Sequence, residues 1–415
     1  MTEPTHDTPG QRTGTPAQPF YLQAPAVVSA LGAGLAETAE RLFAGDRAGM
    51  VQEEGWRPQG PARVGRARSE LPAMPAAFAA FDCRCNQLLL AAMQQIAGPL
   101  DAMLKRYGPA RIGVVLGTSN SGIGEGEAAV AAVHKTGARP TSYAYAQQEI
   151  GMPGPFLARL LGVMGPAYTV STACTSGAKA FAAGRRLLRS GLCDAVVVGG
   201  VDPLTGLTVN GFASLESLSP DICNPLSANR RGINIGEAAT LFVMTREPLD
   251  DHRIALLGVG ESSDAHHISA PEPSGRGAEA AMRGALADAG LPPEAIGYLN
   301  LHATATPQND AMESKAVARV FPGGVPLSGT KPMTGHTLGT AGAIEAAFCW
   351  MAISHGRLPP HCWDGQADAA LPTLTLTSTG SRFADSDTVR ACMSNSFAFG
   401  GNNASLIIGR VAAGA

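Results

Sequence analysis

The segment TVSTACTSGAKAFAAGRRLLRSG, residues 169–191, runs an apolar strand into Ala173-Cys174-Thr175-Ser176-Gly177 and then into a helix. A cysteine at such a turn sits beside free N–H groups and the positive end of a helix dipole. This predicts a depressed thiol pKa and a nucleophilic thiolate. The small residues Ala173, Ser176 and Gly177 leave room for a substrate carbonyl, and the Cys174 N–H can face a developing oxyanion. Local spacing alone fits a core-filling cysteine equally well. Two further clusters change the balance. NLHATATPQND, residues 300–310, ends a strand in a polar turn carrying His302. GTKPMTGHTLG, residues 329–339, carries Lys331 and His336 ahead of a helix that holds Glu345. Either histidine alone reads more readily as a satisfied loop residue than as a catalyst. Cysteine, histidine and lysine-plus-histidine at three strand ends read as one site, because active sites of α/β sheets gather at the carboxyl ends of strands.

The elements that must position these side chains follow from the apolar runs. Strands are expected at 111–116, 168–172, 194–199, 239–244, 253–259, 296–301, 373–378, 389–394 and 404–409. Helices are expected at 175–190, 276–289, 309–320 and 340–354. Continuous Val/Ile/Leu runs between helices imply buried, largely parallel sheets covered on both faces. The strands fall into two groups, divided at the charged stretch TREPLDDHR, and each group closes with a pair of apolar strands. The pattern predicts a duplicated α/β architecture with halves at 20–252 and 253–415, behind a Pro/Thr/Gly-rich tail at 1–19. A single undivided doubly wound sheet is the alternative.

Composition narrows the function classes. The chain has 415 residues, 45% hydrophobic and 16% charged, enough to bury a large core. Its 50 glycines follow no G-X-Y period, which excludes collagen. A net charge of −3 with no basic stripe argues against a nucleic-acid partner. No 18-residue apolar run is present, so no membrane span is expected. The first residues lack the basic-then-apolar pattern of a secretory signal. Eight irregularly spaced cysteines without a CxxC point to a reducing, cytoplasmic compartment.

Taken in order, the motifs resemble those of the β-ketoacyl-acyl-carrier-protein synthases, condensing enzymes of the thiolase-like superfamily. The likeness is greatest to the elongating type with a Cys-His-His triad. It runs from about residue 20, just before VVSALG, through STACTSG, NRRGINIGEAA (229–239) and SSDAHHISAP (262–271). It continues through HATATPQND, KPMTGHTLGTAGAIEA and NSFAFGGNNASL (395–406). The resemblance implies a five-layered αβαβα fold built from two duplicated halves. It implies an acyl carrier protein as partner, and no cofactor beyond the phosphopantetheine that partner carries. It also implies a homodimer, or a heterodimer with a chain-length-factor-like paralogue.

The same resemblance distributes roles. Cys174 accepts the acyl group, and His302 and His336 donate N–H groups to the malonyl thioester oxygen during decarboxylation. Lys331 organises the histidines and Glu345 anchors that network. Phe399 gates the nucleophile within the Phe399-Gly400-Gly401 turn, its N–H completing an oxyanion hole with that of Cys174; a simple core aromatic is the other reading. Thr304 and Thr306 line the pantetheine channel. The family usually has glycine at Ala303, Ala305 and Ala398, an acidic residue at Arg231 and threonine at Asn402. These departures are expected to tighten the loops around the acyl pocket. HATAT together with GRARSELPAMP (65–75) resembles the synthases of aryl-polyene pigment clusters more than those of housekeeping fatty-acid synthesis.

Rival readings are weaker. A non-catalytic chain-length-factor-like subunit typically lacks the nucleophile, whereas Cys174, His302, Lys331 and His336 all stand here. A coenzyme-A-using initiator pairs cysteine with histidine and asparagine, and a thiolase wants a CxG element where Cys392 stands in CMS. Gly122-x-Gly124-x-Gly126 imitates a phosphate loop but lacks the strand–helix register one needs. His266-His267 has no partner at metal spacing, so no metal is expected. Arg63, Arg66 and Arg68 read equally as a contact for an acidic carrier protein or as a solvated face.

Overall fold

The computed structural model describes residues 18–384 and 391–412, so most of the expected tail at 1–19 lies outside the described residues. One sheet runs in the order Leu327–Ser328, Ile296–Asn300, Ala391–Phe397, Asn402–Arg410, Ile254–Ser263, Phe20–Leu22, Ala238–Thr245, Ala195–Asp202, Ile112–Gly117, Ala167–Val170. The three-residue strand Phe20–Leu22 pairs antiparallel with both Ala238–Thr245 and Ile254–Ser263, stitching the two groups of strands together. The expectation of largely parallel sheets is corrected. Ile112–Gly117 is parallel to both its neighbours, but each group also contains antiparallel pairs, such as Ala195–Asp202 with Ala238–Thr245 and Ala391–Phe397 with Asn402–Arg410. Helices cover both faces whichever way a central strand runs, so an apolar run cannot reveal its direction.

Helices supply three layers around the strands. Ser176–Arg189 packs on Ala195–Asp202 and Ile112–Gly117, while Ala341–His355 packs on Ala391–Phe397 and Asn402–Arg410 and reaches back to Ala195–Asp202. These two helices form the middle layer, sharing a core that includes Phe181, Phe242, Phe348 and Trp350. Arg84–Gln95 and Pro153–Leu161 cover the outer face of the N-terminal strands, and Arg276–Ala289 with Pro307–Val320 covers that of the C-terminal strands. The architecture is the five-layered αβαβα arrangement. Ala341–His355 is buried on every side from Ala341 to Ile353 and apolar there except at Glu345, as suits a helix enclosed between two sheets. Its Trp350 Nε1 donates to the Leu22 carbonyl at 3.1 Å, tying the middle layer to the stitching strand.

The two middle helices meet backbone to backbone at their N-termini. A Cβ on Gly177 would lie 2.8 Å from the Ala343 nitrogen, and one on Gly342 would lie 2.7 Å from the Ala178 nitrogen. Only glycine permits that approach. It draws the turn before Ser176 against the turn before Ala341, which is where Cys174 and His336 reside.

Two other expectations change. Residues 373–378 form no strand; Leu376 makes an isolated bridge to Leu327, and the alternating leucines are half-buried against the C-terminal core. The alternation reported a half-buried surface rather than a ladder. The strand before the nucleophile, Ala167–Val170, is the last of the sheet and is not covered on both faces: Tyr168 is 38% exposed.

Candidate active site

Ala173 holds φ at 52°, a left-handed conformation that turns the chain sharply out of the strand. Ser176 locks this elbow, its hydroxyl donating to the Ala173 carbonyl at 2.6 Å and accepting from the Thr172 N–H at 2.9 Å. Cys174 is thereby presented at the start of Ser176–Arg189, with Sγ 3.1 Å from His336 Nε2. The main-chain N–H groups of Phe399 and of Cys174 itself act on the sulfur in the direction that favours thiolate.

The expected depression of the thiol pKa is not what this environment produces. Burial pushes the thiol up to about 12, against the pull of the Lys331 charge and of the two N–H groups. The helix terminus is in place, but desolvation of a thiolate outweighs it. The resting sulfur is a neutral thiol beside an imidazole. Alkylation of Cys174 by iodoacetamide should therefore accelerate about tenfold per pH unit from pH 7 to 10, as expected of a thiol well below its pKa. Peptide mass mapping over that range checks it, and a plateau below pH 9 would contradict it. Cys174 is also the cysteine that lines the site's cavity, whereas Cys392 is fully buried, so the label belongs on Cys174.

His302 is aimed by carboxylates. Glu313, on the helix Pro307–Val320, accepts the N–H groups of His302 at 2.8 Å and Ala303 at 2.7 Å, and Asp310 accepts those of Ala305 at 3.1 Å and Leu226 at 2.8 Å. The clamp holds Ala303 and Ala305 at φ 38° and 63°. Sequence reasoning missed both acids; their i, i+3 spacing on the helix after HATAT was the available signal. Burial pushes Glu313 up to about 7.

The two alanines do not form the pocket wall as expected. His302, Thr304 and Thr306 line the cavity, whereas the intervening Ala303 and Ala305 are fully buried and outside its lining. Ala398 does line it.

Lys331 is buried, pairs with Glu345 Oε1 at 2.6 Å, donates to the His302 carbonyl, and stands 3.5 Å from His302 Nδ1. It touches one histidine, not both. Burial, with the Lys331 charge added, holds both His302 and His336 well below the usual imidazole range. Both rings are neutral. An ammonium facing Nδ1 of His302 makes that nitrogen the acceptor and assigns the proton to Nε2. Glu345 is pushed up to about 7 by burial, with Lys331 pulling it down. His336 is held through its main chain, donating to the Asn234 carbonyl at 2.6 Å and accepting from Gly236 at 2.9 Å. Its Nδ1 has no partner among the described residues. The two rings meet edge to face, with centroids 5.2 Å apart.

The cavity above these groups spans about 920 Å³ with its open mouth included, and Phe399 forms part of its wall, its ring tilted 44° against that of Phe212 with centroids 5.5 Å apart. Gly400 and Gly401 do not line it. With φ of 84° and 76° they make the turn, which is fastened to a second loop: Gly400 donates to the Ile268 carbonyl at 2.7 Å and Gly401 accepts from the Asp264 N–H at 2.8 Å. Asp264 also accepts from Asn403 Nδ2 at 2.7 Å, a role that sequence reasoning missed within SSDAHHISAP.

The remaining motifs find other uses. Gly122 does follow a strand, Ile112–Gly117, and open a helix, Ile123–Thr136, contrary to the expected lack of register. The glycine faces are nonetheless filled: a Cβ on Gly122 would lie 2.1 Å from the Gln147 carbonyl, and one on Gly126 would lie 1.7 Å from the Gln148 side chain. His267 Nδ1 accepts the Ser269 and Ala270 N–H groups in an exposed turn. Arg66 pairs with Glu53 and Glu237, Arg68 with Asp46, and Arg63 donates to the Met50 carbonyl.

Comparison with known proteins agrees with this geometry. Residues 78–249 match the Beta-ketoacyl synthase, N-terminal domain, and residues 254–363 match the Beta-ketoacyl synthase, C-terminal domain. Nodulation protein E of Rhizobium meliloti is 38% identical over 260 residues, covering 60% of this chain and 63% of that protein. The mitochondrial 3-oxoacyl-[acyl-carrier-protein] synthase of Arabidopsis thaliana is 36% identical over 280 residues, covering 63% of this chain and 60% of the relative. Each alignment spans less than two thirds of the relative. A chain of the solved complex of the ketosynthase ApeO with its chain length factor ApeC, from Xenorhabdus doucetiae, is 47% identical. That similarity covers 95% of this chain and 98% of that one, with a TM-score of 0.90.

Proposed function

The chain belongs to the β-ketoacyl synthase family, and from that premise we propose that it condenses an acyl group with a malonyl group, both delivered as thioesters of an acyl carrier protein, through an acyl-Cys174 intermediate. The carrying observation is Cys174 Sγ at 3.1 Å from His336 Nε2 in a cavity that His302 also lines. As the sulfur attacks the acyl thioester, His336 takes the thiol proton and returns it to the departing pantetheine sulfur. The Cys174 and Phe399 N–H groups hold the tetrahedral oxyanion. The malonyl thioester then loses carbon dioxide, and the electron pair of the broken C–C bond forms an enolate. His302, its proton fixed on Nε2, donates to the enolate oxygen. His336, unrestrained at Nδ1, can move its proton to Nε2 once the sulfur is acylated and donate beside it. The enolate carbon attacks the acyl-Cys174 carbonyl, and collapse expels the sulfur, which takes up a proton from water. Lys331 and Glu345 position His302, and Thr304 and Thr306 offer hydroxyls to the pantetheine amides. In this reading the halves 20–252 and 253–415 contribute the nucleophile and the histidine–lysine cluster respectively. Its cofactor requirement is the phosphopantetheine on the carrier protein, and its compartment is the cytoplasm.

The partner reading extends to a second subunit, itself or a chain-length-factor-like paralogue, laid along Ala167–Val170. That edge strand leads directly to Cys174, with Met164 70% exposed beside it. An unpartnered apolar edge of this kind invites pairing. The substrate reading is a conjugated polyenoyl chain of the aryl-polyene kind, which HATAT and GRARSELPAMP support. A rigid chain loses little conformational entropy on binding, and the clamped, left-handed Ala303 and Ala305 fix the backbone that carries the cavity-lining His302, Thr304 and Thr306. Purified enzyme, alone and with any paralogue encoded beside it, should extend a polyenoyl primer faster than a saturated primer of equal length. Equal rates would defeat the substrate reading, and a monomer by light scattering in every mixture would defeat the partner reading.

A further inference from the structure

The metal-binding atoms of Cys174, His302 and His336 lie within 4.8 Å of one another, and all three residues are buried. They face a cavity that leaves room for a fourth ligand. A sulfur and two imidazoles with an open position are a donor set suited to zinc and its thiophilic relatives. Condensation has no use for such an ion, which would occupy the nucleophile.

We propose that Lys331 keeps this cluster free of thiophilic divalent cations. The hydrogen-bond partner behind the ligand is of the wrong kind for a metal site. A metal-bound histidine ordinarily donates its far N–H to a carboxylate or a carbonyl. Here Nδ1 of His302 faces the Lys331 ammonium at 3.5 Å, which fixes the proton on Nε2, the nitrogen a metal would have to take. Charge acts in the same direction. Lys331 is 1% exposed, so its repulsion of an incoming dication is little screened by solvent. Removing the lysine reverses both effects at once. His302 is released to turn its lone pair toward the cavity, and Glu345, whose Oε2 has no partner among the described residues, is left as an unpaired acid behind it. The inference rests on the packing of the three side chains, not on the identity of the acyl substrate.

The test uses the full chain with cobalt as a spectroscopic probe and zinc as its competitor, under anaerobic conditions. Wild-type protein should show no near-ultraviolet thiolate-to-cobalt band. Lys331→Met and Lys331→Ala should show it and bind zinc at least about 100-fold more tightly than wild type. Adding Cys174→Ser to either variant should abolish the band. Equal zinc affinity in wild type and the variants, no binding by any of them, or a band that survives Cys174→Ser overturns the proposal. The wild-type titration also stands alone: a cobalt–thiolate band there overturns it whether or not the variants fold.

Discussion

His302→Ala should leave Cys174 able to take an acyl group while condensation fails. The His302 ring has no hydrogen bond to the sulfur; its fixed Nε2–H serves the malonyl oxygen, where charge appears during decarboxylation. Loss of one such donor costs about 10²–10³ in rate, and here the loss should fall on carbon dioxide release and on product together. His336→Ala should fail earlier. Its Nε2 is 3.1 Å from the sulfur, and burial holds that sulfur as a thiol with a pKa of about 12, so without the imidazole the proton has no acceptor. Acyl-enzyme formation followed by intact mass, and carbon dioxide released from malonyl carrier protein, separate the two steps. Lys331→Ala should resemble His302→Ala, because the ammonium sets that ring's tautomer. A His302 variant with near-normal malonyl turnover, or a His336 variant that acylates at the wild-type rate, would refute the division of labour.

Short-range pattern made the chemistry legible and left its energetics hidden. Cys174, His302 and His336 stand in strand-end turns punctuated by small residues and glycine, a signal confined to a few consecutive positions, and the fold does bring them together. Arg276–Ala289 begins and ends where its apolar period does. What escaped depends on atoms distant in sequence. The pKa of Cys174 is governed by how completely segments distant in sequence bury it, and no local string encodes that. Glu313 reaches back to His302 and Ala303, and Asp264 to Asn403, so their roles exist only once the loops have met. The inward or outward facing of Ala303 depends on φ, which its identity as alanine made improbable. Strand direction was hidden for a different reason: with helices on both faces, parallel and antiparallel neighbours bury the same residues.

The backbone contact at Gly177 gives the second large expected effect. A methyl group there would lie 2.8 Å from the Ala343 nitrogen and 2.9 Å from the Gly339 carbonyl oxygen. These are main-chain atoms at the start of a fully buried helix, so no side chain can rotate out of the way. Gly177→Ala must push Ser176–Arg189 and Ala341–His355 apart, and forced overpacking of this kind costs about 1–3 kcal/mol. The functional loss should exceed what stability alone explains. Separating those helices moves Cys174, three residues before Gly177, relative to His336, five residues before Ala341, and a displacement of about 1 Å can cost roughly 10²-fold in rate. Gly98→Ala is the matched control, in the first turn of Ala97–Tyr107 with open space around the added carbon. Thermal melts and acylation rates of both variants decide the matter. Gly177→Ala should lower Tm and slow acylation, and Gly98→Ala should hold or slightly raise Tm with acylation unchanged. If Gly177→Ala melted and acylated like wild type, the two helices would not be in backbone contact, and the alignment of sulfur and imidazole would need another cause.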